Sequence, residues 1–369
     1  MRVATGLDLK PARLLSAIWG SSRSLLNQDL DNYAPAHVAQ RVAEGANIGI
    51  CEIYSMTLAG YAETLFLNHN VGGRNAWILP TTIKSNDRRR RGLQYCPRCL
   101  ATDRQPYFRR RWRLALITAC TKHGVLLRDR CPSCCEAVHP HRAPSVTLCF
   151  RCGESLCAPS IAASCHDHLA WILEQERILD RGWAMLAGEP IRAHIYFAIV
   201  RQIAALLVNG PRAPALRAVV ADNLGGDDTP FEKITPRQPI EYLDVKERHR
   251  LFQMVYALVR SWPSNFVMAC QEAGIHRSYA IKDMRDPPHV YEQMTRKYLD
   301  ATPYYPSERE VAAAAAWLRR VKGYASYSDL CSLCGESRAL VYQHMDYQRI
   351  PSRPSKWRTQ VRSKLSNAG

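Results

Sequence analysis

Cys96-Pro-Arg-Cys99, Cys120-Thr-Lys-His123, Cys131-Pro-Ser-Cys134 and Cys149-Phe-Arg-Cys152 follow one another in the middle of the chain. Each pair is a knuckle: a tight turn sets two ligand-type side chains three residues apart and aims both at one point. Pro97 and Pro132 pre-set the turn inside two pairs. Gly124 and Gly153 follow two others, where a left-handed residue relieves the turn. Two knuckles make one tetrahedral zinc site. Sequential pairing groups Cys96, Cys99, Cys120 and His123 in a first site, and Cys131, Cys134, Cys149 and Cys152 in a second. An interleaved pairing, first knuckle with third, stays open but demands a crossed topology.

The donor sets are three sulfurs with one nitrogen, and four sulfurs. Both leave no coordination position for water or substrate, so the sequence predicts two structural zinc ions and no metal catalysis. The zinc deaminase signature needs a His-x-Glu, which the chain lacks. Deprotonated ligands and their ions lower the formal charge of +17 by three, to +14. Structural zinc is worth roughly 10–16 kcal/mol, enough to hold a small region with little core of its own. Cys135 reads as a bystander beside Cys134, and Cys331-x-x-Cys334 reads as buried free thiols in a helix. Cys157, Cys165, His166 and His168 make only a weak third metal candidate.

Fourteen cysteines with no export signal at the start of the sequence argue for metal over disulfides. The expected compartment is therefore the cytoplasm, at the nucleoid when DNA is bound. The most apolar run, Ile195–Val208, is shorter than the roughly 20 residues a membrane span needs and is interrupted by Arg201 and Gln202. Hydrophobic residues make up 47% of the 369, enough for several cores and against wholesale disorder.

The predicted fold class is mainly α with small β zinc ribbons. Residues 1–92 read as helical, with a divergent helix-turn-helix as one candidate, and 93–158 as tandem zinc ribbons, where Trp112–Cys120 suits a strand. Residues 159–208 return to helix, with one stripe running from Cys165 to Leu186 and a second beginning after Pro190. Residues 209–240, rich in proline and glycine, read as a linker, and 241–369 as a C-terminal helical domain.

Lys and Arg number 50 against 33 Asp and Glu, an excess that points to a polyanionic partner. The candidate nucleic-acid contacts are Arg88, Arg89, Arg90 and Arg91 before the first knuckle, and Arg109, Arg110, Arg111 and Arg113 within the first ribbon. Two helix-turn-helix candidates follow. One comprises Phe266–Ala273, Gly274 and Ile275–Met284, presenting Arg277 and Tyr279. The other runs from a Ser326/Asp329 capping box through Leu330–Leu333 and Gly335 to Glu336–Met345, presenting Arg338, Tyr342 and Gln343. The tail adds Arg349, Arg353, Lys356, Arg358, Arg362 and Lys364 around Trp357. Six to ten neutralised phosphates predict a slope of log affinity against log salt of about −5 to −9.

The stretch Tyr95-Cys-Pro-Arg-Cys-Leu100, Pro106-Tyr107, Arg111–Ile117, Cys120-Thr-Lys-His-Gly124 and Leu126–Cys134 resembles the TniQ/TnsD family of transposition target-selection proteins. A weaker resemblance extends upstream through Asp29-Leu30-Asp31 and Met56-Thr57-Leu58, but the Glu-Ser and Ser-Trp pairs usual at the family's start are missing. The resemblance implies a non-enzymatic adaptor. It would bind target DNA, or dock on a CRISPR RNA-guided complex, and recruit a AAA+ transposition regulator. A second copy of the chain is a further candidate partner. The chain has no Gly-Lys-Ser/Thr of a P-loop, so any ATP hydrolysis falls to a partner. The alternative is a zinc-ribbon transcription regulator with no transposition partner. Asp227-Asp228 and Glu308/Glu310, the acids a nuclease reading would use, read as loop and cap residues.

Overall fold

The structure, a computed structural model, describes residues 9, 11–20, 29–32, 34–70, 73–80, 92–159, 166–225, 227–232, 237–300 and 306–334. Thirteen α-helices and four short strands occur among the described residues. The chain divides into two compact units, Met1–Leu299 and Asp300–Gly369.

The first unit opens with α1 (Pro11–Trp19), α2 (Ala36–Ala46) and α3 (Ile50–Met56). Pro11 suits the start of α1, where a missing N–H costs nothing. Ala39 and Ala43 of α2 meet Ile53 of α3 in a small cluster of their own. The knuckle region adds α4 (Pro97–Thr102) and the two-residue strands β1 (Ala119–Cys120) and β2 (Val125–Leu126). The stretch Trp112–Cys120 is mostly not a strand: Arg110–Arg113 is a 3-10 turn, Leu114 makes an isolated antiparallel bridge with Ile78, and only Ala119–Cys120 form a strand. Metal-ligand turns occupy the backbone that a longer ladder would need.

A helical body follows, with α5 (His166–Arg181), α6 (Ala193–Val208), α7 (Ala213–Leu224), α8 (Val245–Val259), α9 (Ser264–Glu272), α10 (Arg277–Ala280) and α11 (His289–Leu299). Helix α6 is apolar on nearly every side and lies at the centre, packed on α7 and α8. Asp244 and Glu247 form a reciprocal capping box that starts α8. No described helix is long and apolar enough to cross a membrane. α6 and α7 reach the length only together, across a bend of 102°.

Two sequence expectations fail here. Trp183 and Leu186 do not extend α5, and Pro190 does not start α6: they belong to the hairpin β3 (Trp183–Leu186) and β4 (Glu189–Arg192). Ala187 (φ 52°) and Gly188 (φ 83°) turn it, the two positive φ values of a type I′ turn. The segment read as a linker holds α7, whose Leu216 and Val220 are fully buried. Apolar spacing from Ala213 to Val220 outweighs the proline, which is harmless in a first turn.

The second unit contains α12 (Glu308–Lys322) and α13 (Tyr327–Cys334), packed through Ala315, Leu318, Ala325 and Leu330. Ser307 and Glu310 cap α12 reciprocally. The backbone N–H of Asp329 donates to Ser326 Oγ, which donates to the Asp329 carboxylate, so this predicted start signal is used. Cys331 and Cys334 sit on α13 half-buried, less enclosed than expected.

Candidate metal centres

The eight knuckle donors converge in two groups of four, and within each group the ligand atoms lie within 4.8 Å of one another. The grouping is sequential: Cys96, Cys99, Cys120 and His123, then Cys131, Cys134, Cys149 and Cys152. Sulfur atoms of Cys99 and Cys120 are 3.7 Å apart, as are those of Cys131 and Cys152, and of Cys134 and Cys149. His123 Nδ1 lies 3.6, 3.3 and 3.6 Å from the sulfurs of Cys96, Cys99 and Cys120. A zinc tetrahedron with Zn–S arms of about 2.3 Å has S···S edges of about 3.8 Å and S···N edges of about 3.6 Å. A disulfide would need about 2.05 Å. The donor sets therefore fit zinc in both size and chemistry.

One backbone device builds all four knuckles. The N–H following the second ligand donates to the carbonyl of the first: Leu100 to Cys96 (3.1 Å), Gly124 to Cys120 (2.8 Å), Cys135 to Cys131 (3.1 Å) and Gly153 to Cys149 (3.0 Å). In the last three, the donating residue has positive φ: 61° at Gly124, 57° at Cys135 and 78° at Gly153. The glycines were legible in the sequence for this reason. Cys135 fills the same left-handed place with a side chain.

Charge crowding leaves its mark on the thiols. A hydrogen bond from Cys96 holds Cys120 down to about 5 and pushes Cys96 far above the usual thiol range. Burial raises Cys99 to about 11. A dication at the centre would relieve this competition by accepting all three cysteines as thiolates. The two sites differ in cover. The cysteines of the first are all buried, whereas Cys134 and Cys152 of the second are exposed.

The sites share a scaffold. Tyr95 and Arg128 exchange backbone hydrogen bonds of 2.8 and 2.9 Å, Leu93 donates to Val138 at 2.9 Å, and Val138 donates to Asp129 at 3.1 Å. Gly92 lies so close to this ladder that a Cβ would stand 2.0 Å from the Val138 nitrogen. Fully buried Arg248 of α8 then ties the ribbons to the helical body, donating to the carbonyls of Ala115 (2.9 Å) and Leu243 (3.0 Å) and to Gln94.

Arg109, Arg110, Arg111 and Arg113 each have partners within the protein. Arg113 is buried, grips Asp29 with both terminal nitrogens (3.0 and 2.6 Å), and reaches Asp31 (3.1 Å) and the Leu79 carbonyl (3.0 Å). Arg109 pairs with Asp103 over the rings of Tyr107 and Trp112. Arg110 donates to the carbonyls of Ser55 and Thr57 over the ring of Tyr61, and Arg111 pairs with Asp180 and Glu176. This cluster is therefore a set of internal clamps. It joins the ribbon to both upstream stretches of resemblance, Asp29–Asp31 and Met56–Leu58.

The first helix-turn-helix candidate has a shorter second helix than the sequence suggests. Its second helix, α10, is a single turn where Ile275–Met284 was expected, and Arg277 pairs with Glu292 at 3.0 Å. Tyr279 turns its hydroxyl to the Arg212 N–H. Arg88, Arg89, Arg90 and Arg91 lie outside the described residues. So do Arg338, Tyr342, Gln343, Arg349, Arg353, Lys356, Trp357, Arg358, Arg362 and Lys364. Cys165 lies outside them too, and the ring of His168 packs on His249 at 4.7 Å between centroids, not on a metal cluster.

The sequence profile of the TniQ family matches residues 1–127. The match spans about a third of the chain. No curated protein matches the chain. The matched range takes in the N-terminal stretch despite its missing family pairs, all four donors of the first site, and the clamps of Arg109 to Arg113. The four donors of the second site follow the matched range, on backbone bonded directly to it.

Proposed function

We propose that this protein is a non-enzymatic adaptor of transposition. It binds target DNA or a targeting complex, such as a CRISPR RNA-guided one, and recruits a AAA+ transposition regulator. The TniQ match carries this reading, since it points to a role in transposition. The two four-donor clusters support it: each fits a closed structural zinc, so the metals stiffen an assembly surface and leave the chemistry to partners. The excess of basic residues suits a polyanion on one side of that assembly.

A pull-down tests the proposal. The zinc-loaded full chain, immobilised, is offered a AAA+ transposition regulator, with ATP or ADP, on target-bearing DNA. Retention of the ATP-loaded regulator is the expected result. No retention in either nucleotide state, with DNA still bound, would leave a DNA-binding regulator and overturn the adaptor reading.

A further inference from the structure

Two adjoining cavities of about 600 and 680 Å³ lie on one side of the first unit and share Arg201 and Pro239 in their walls. Arg201 is fixed at the junction. It reaches Glu241 with both terminal nitrogens (2.5 and 3.2 Å), and Glu241 also accepts the Trp77 N–H at 2.7 Å. Beyond it the groove is lined by the exposed cations Arg237, Lys282 and Arg285, and in the other direction by exposed Arg74.

The positions of two of these cations, Lys282 and Arg74, are built in. Lys282 Nζ sits 3.5 Å from the centroid of the Tyr279 ring, and both pack against Gly210 in the α6–α7 turn. A Cβ at Gly210 would stand 2.2 Å from the Tyr279 hydroxyl and 2.6 Å from Lys282 Nζ, and its φ of 90° further favours glycine. The Arg74 guanidinium lies 5.1 Å over the Tyr242 ring. Four acids also face the groove. Asp29 and Glu241 are engaged by Arg113 and Arg201, while Asp283 and Asp286 offset part of the charge.

We infer that this groove is a nucleic-acid contact of the protein and receives the sugar-phosphate backbone of duplex DNA. The inference rests on the proposed role in target selection and deepens it by naming the surface. Cations spread along two joined cavities match the regular charge of a polymer better than one small anion. The aromatic rings at hand, Tyr242 and Tyr279, already lie under Arg74 and Lys282. That leaves no bare platform for unpaired bases and favours a duplex over a single strand.

The test is fluorescence anisotropy of a labelled duplex against salt, using the zinc-loaded full chain. The triple variant Arg237→Gln, Lys282→Gln, Arg285→Gln is compared with a charge-matched control, Arg41→Gln, Lys246→Gln, Arg260→Gln, drawn from exposed positions that do not line the groove. Each lost phosphate contact removes about 0.9 from the salt slope, so the groove variant loses about 2.7, with about tenfold or greater weakening at low salt. The control keeps the native slope, and Lys replacements at Arg237 and Arg285 restore it. Equal losses in both triples, a native slope in the groove variant, or loss confined to single-stranded RNA would each overturn the assignment while leaving the adaptor role standing. Failure of the native chain to bind any duplex would remove direct DNA binding itself.

Discussion

The guanidinium of Arg248 donates a hydrogen bond of 3.1 Å to Gln94 Oε1, 154 residues earlier in the chain. Gln94 in turn donates to the carbonyl of Trp112 at 2.8 Å. Side chains that are both buried thus join a helix of the body to the two ends of the segment carrying the first knuckle. Replacing Arg248 by Met strands the acceptors of Gln94, Ala115 and Leu243 in a dry interior. Each orphaned group costs about 1–3 kcal/mol, and loss of one partner from a buried charged network about 3–5 kcal/mol. The expected outcome is destabilisation of that order in urea unfolding. Lys at 248 recovers little, because an ammonium lacks the planar fork that serves three separate acceptors.

A second prediction concerns acid. Burial, with the facing ring of His249, lowers His168 to about 3, and burial lowers His249 to about 4. Both rings are therefore neutral in the folded protein and take up protons more readily when it unfolds. Their contribution is fully present above an ordinary histidine pKa of about 6.5 and is lost as pH falls from there toward the folded values. At about pH 5 the expected loss is about 2 kcal/mol per ring. Denaturation midpoints measured from pH 7.5 down to 5 check this. His168→Phe is expected to flatten the slope in that window, and an unchanged slope would count against the account.

Cys135 offers a stabilising substitution. It occupies the left-handed position that Gly124 and Gly153 fill in two sister knuckles, and makes the same hydrogen bond. A side chain there costs about 1–2 kcal/mol. Cys135→Gly is expected to raise stability by about 1 kcal/mol, and to leave the metal content at two zinc per chain if the second site uses only its four assigned sulfurs. Thermal melts and metal analysis on the same sample read both quantities.

The two centres are expected to lose metal in sequence. Cys134 and Cys152 are exposed, whereas the cysteines of the first site are buried. A strong chelator is therefore expected to release zinc in two phases. Alkylation followed by mass spectrometry should label Cys134 and Cys152 in the fast phase, and Cys96, Cys99 and Cys120 only in the slow phase, with collapse of residues 93–158. Simultaneous labelling of both sets would show that the sites open together.

What the sequence made legible was local. Knuckle spacing, the glycines after the second ligand and the Ser326/Asp329 start of α13 are read within a few residues, and each is governed by a turn or a cap. Long-range partnership was not legible. Arg113 looked like one more cation in a basic run, but its carboxylates lie more than 80 residues upstream. The β3–β4 hairpin was hidden because Ile191 suits both a period of two and a helical stripe, and because Ala187-Gly188 is a weak turn signal beside Asn-Gly. Arg237 lies some 45 residues before Lys282 and Arg285, and they share one groove only in the folded chain, beside the turn at Gly210.

The ladder that runs from Gly92 to Tyr95 beside Arg128 and Val138 has a mechanical consequence. It leaves no slack tether between the two knuckle pairs, so they behave as one strut. A partner seated at either end keeps a set angle to whatever grips the other, and a tug at one end arrives at the far end undiminished by a hinge.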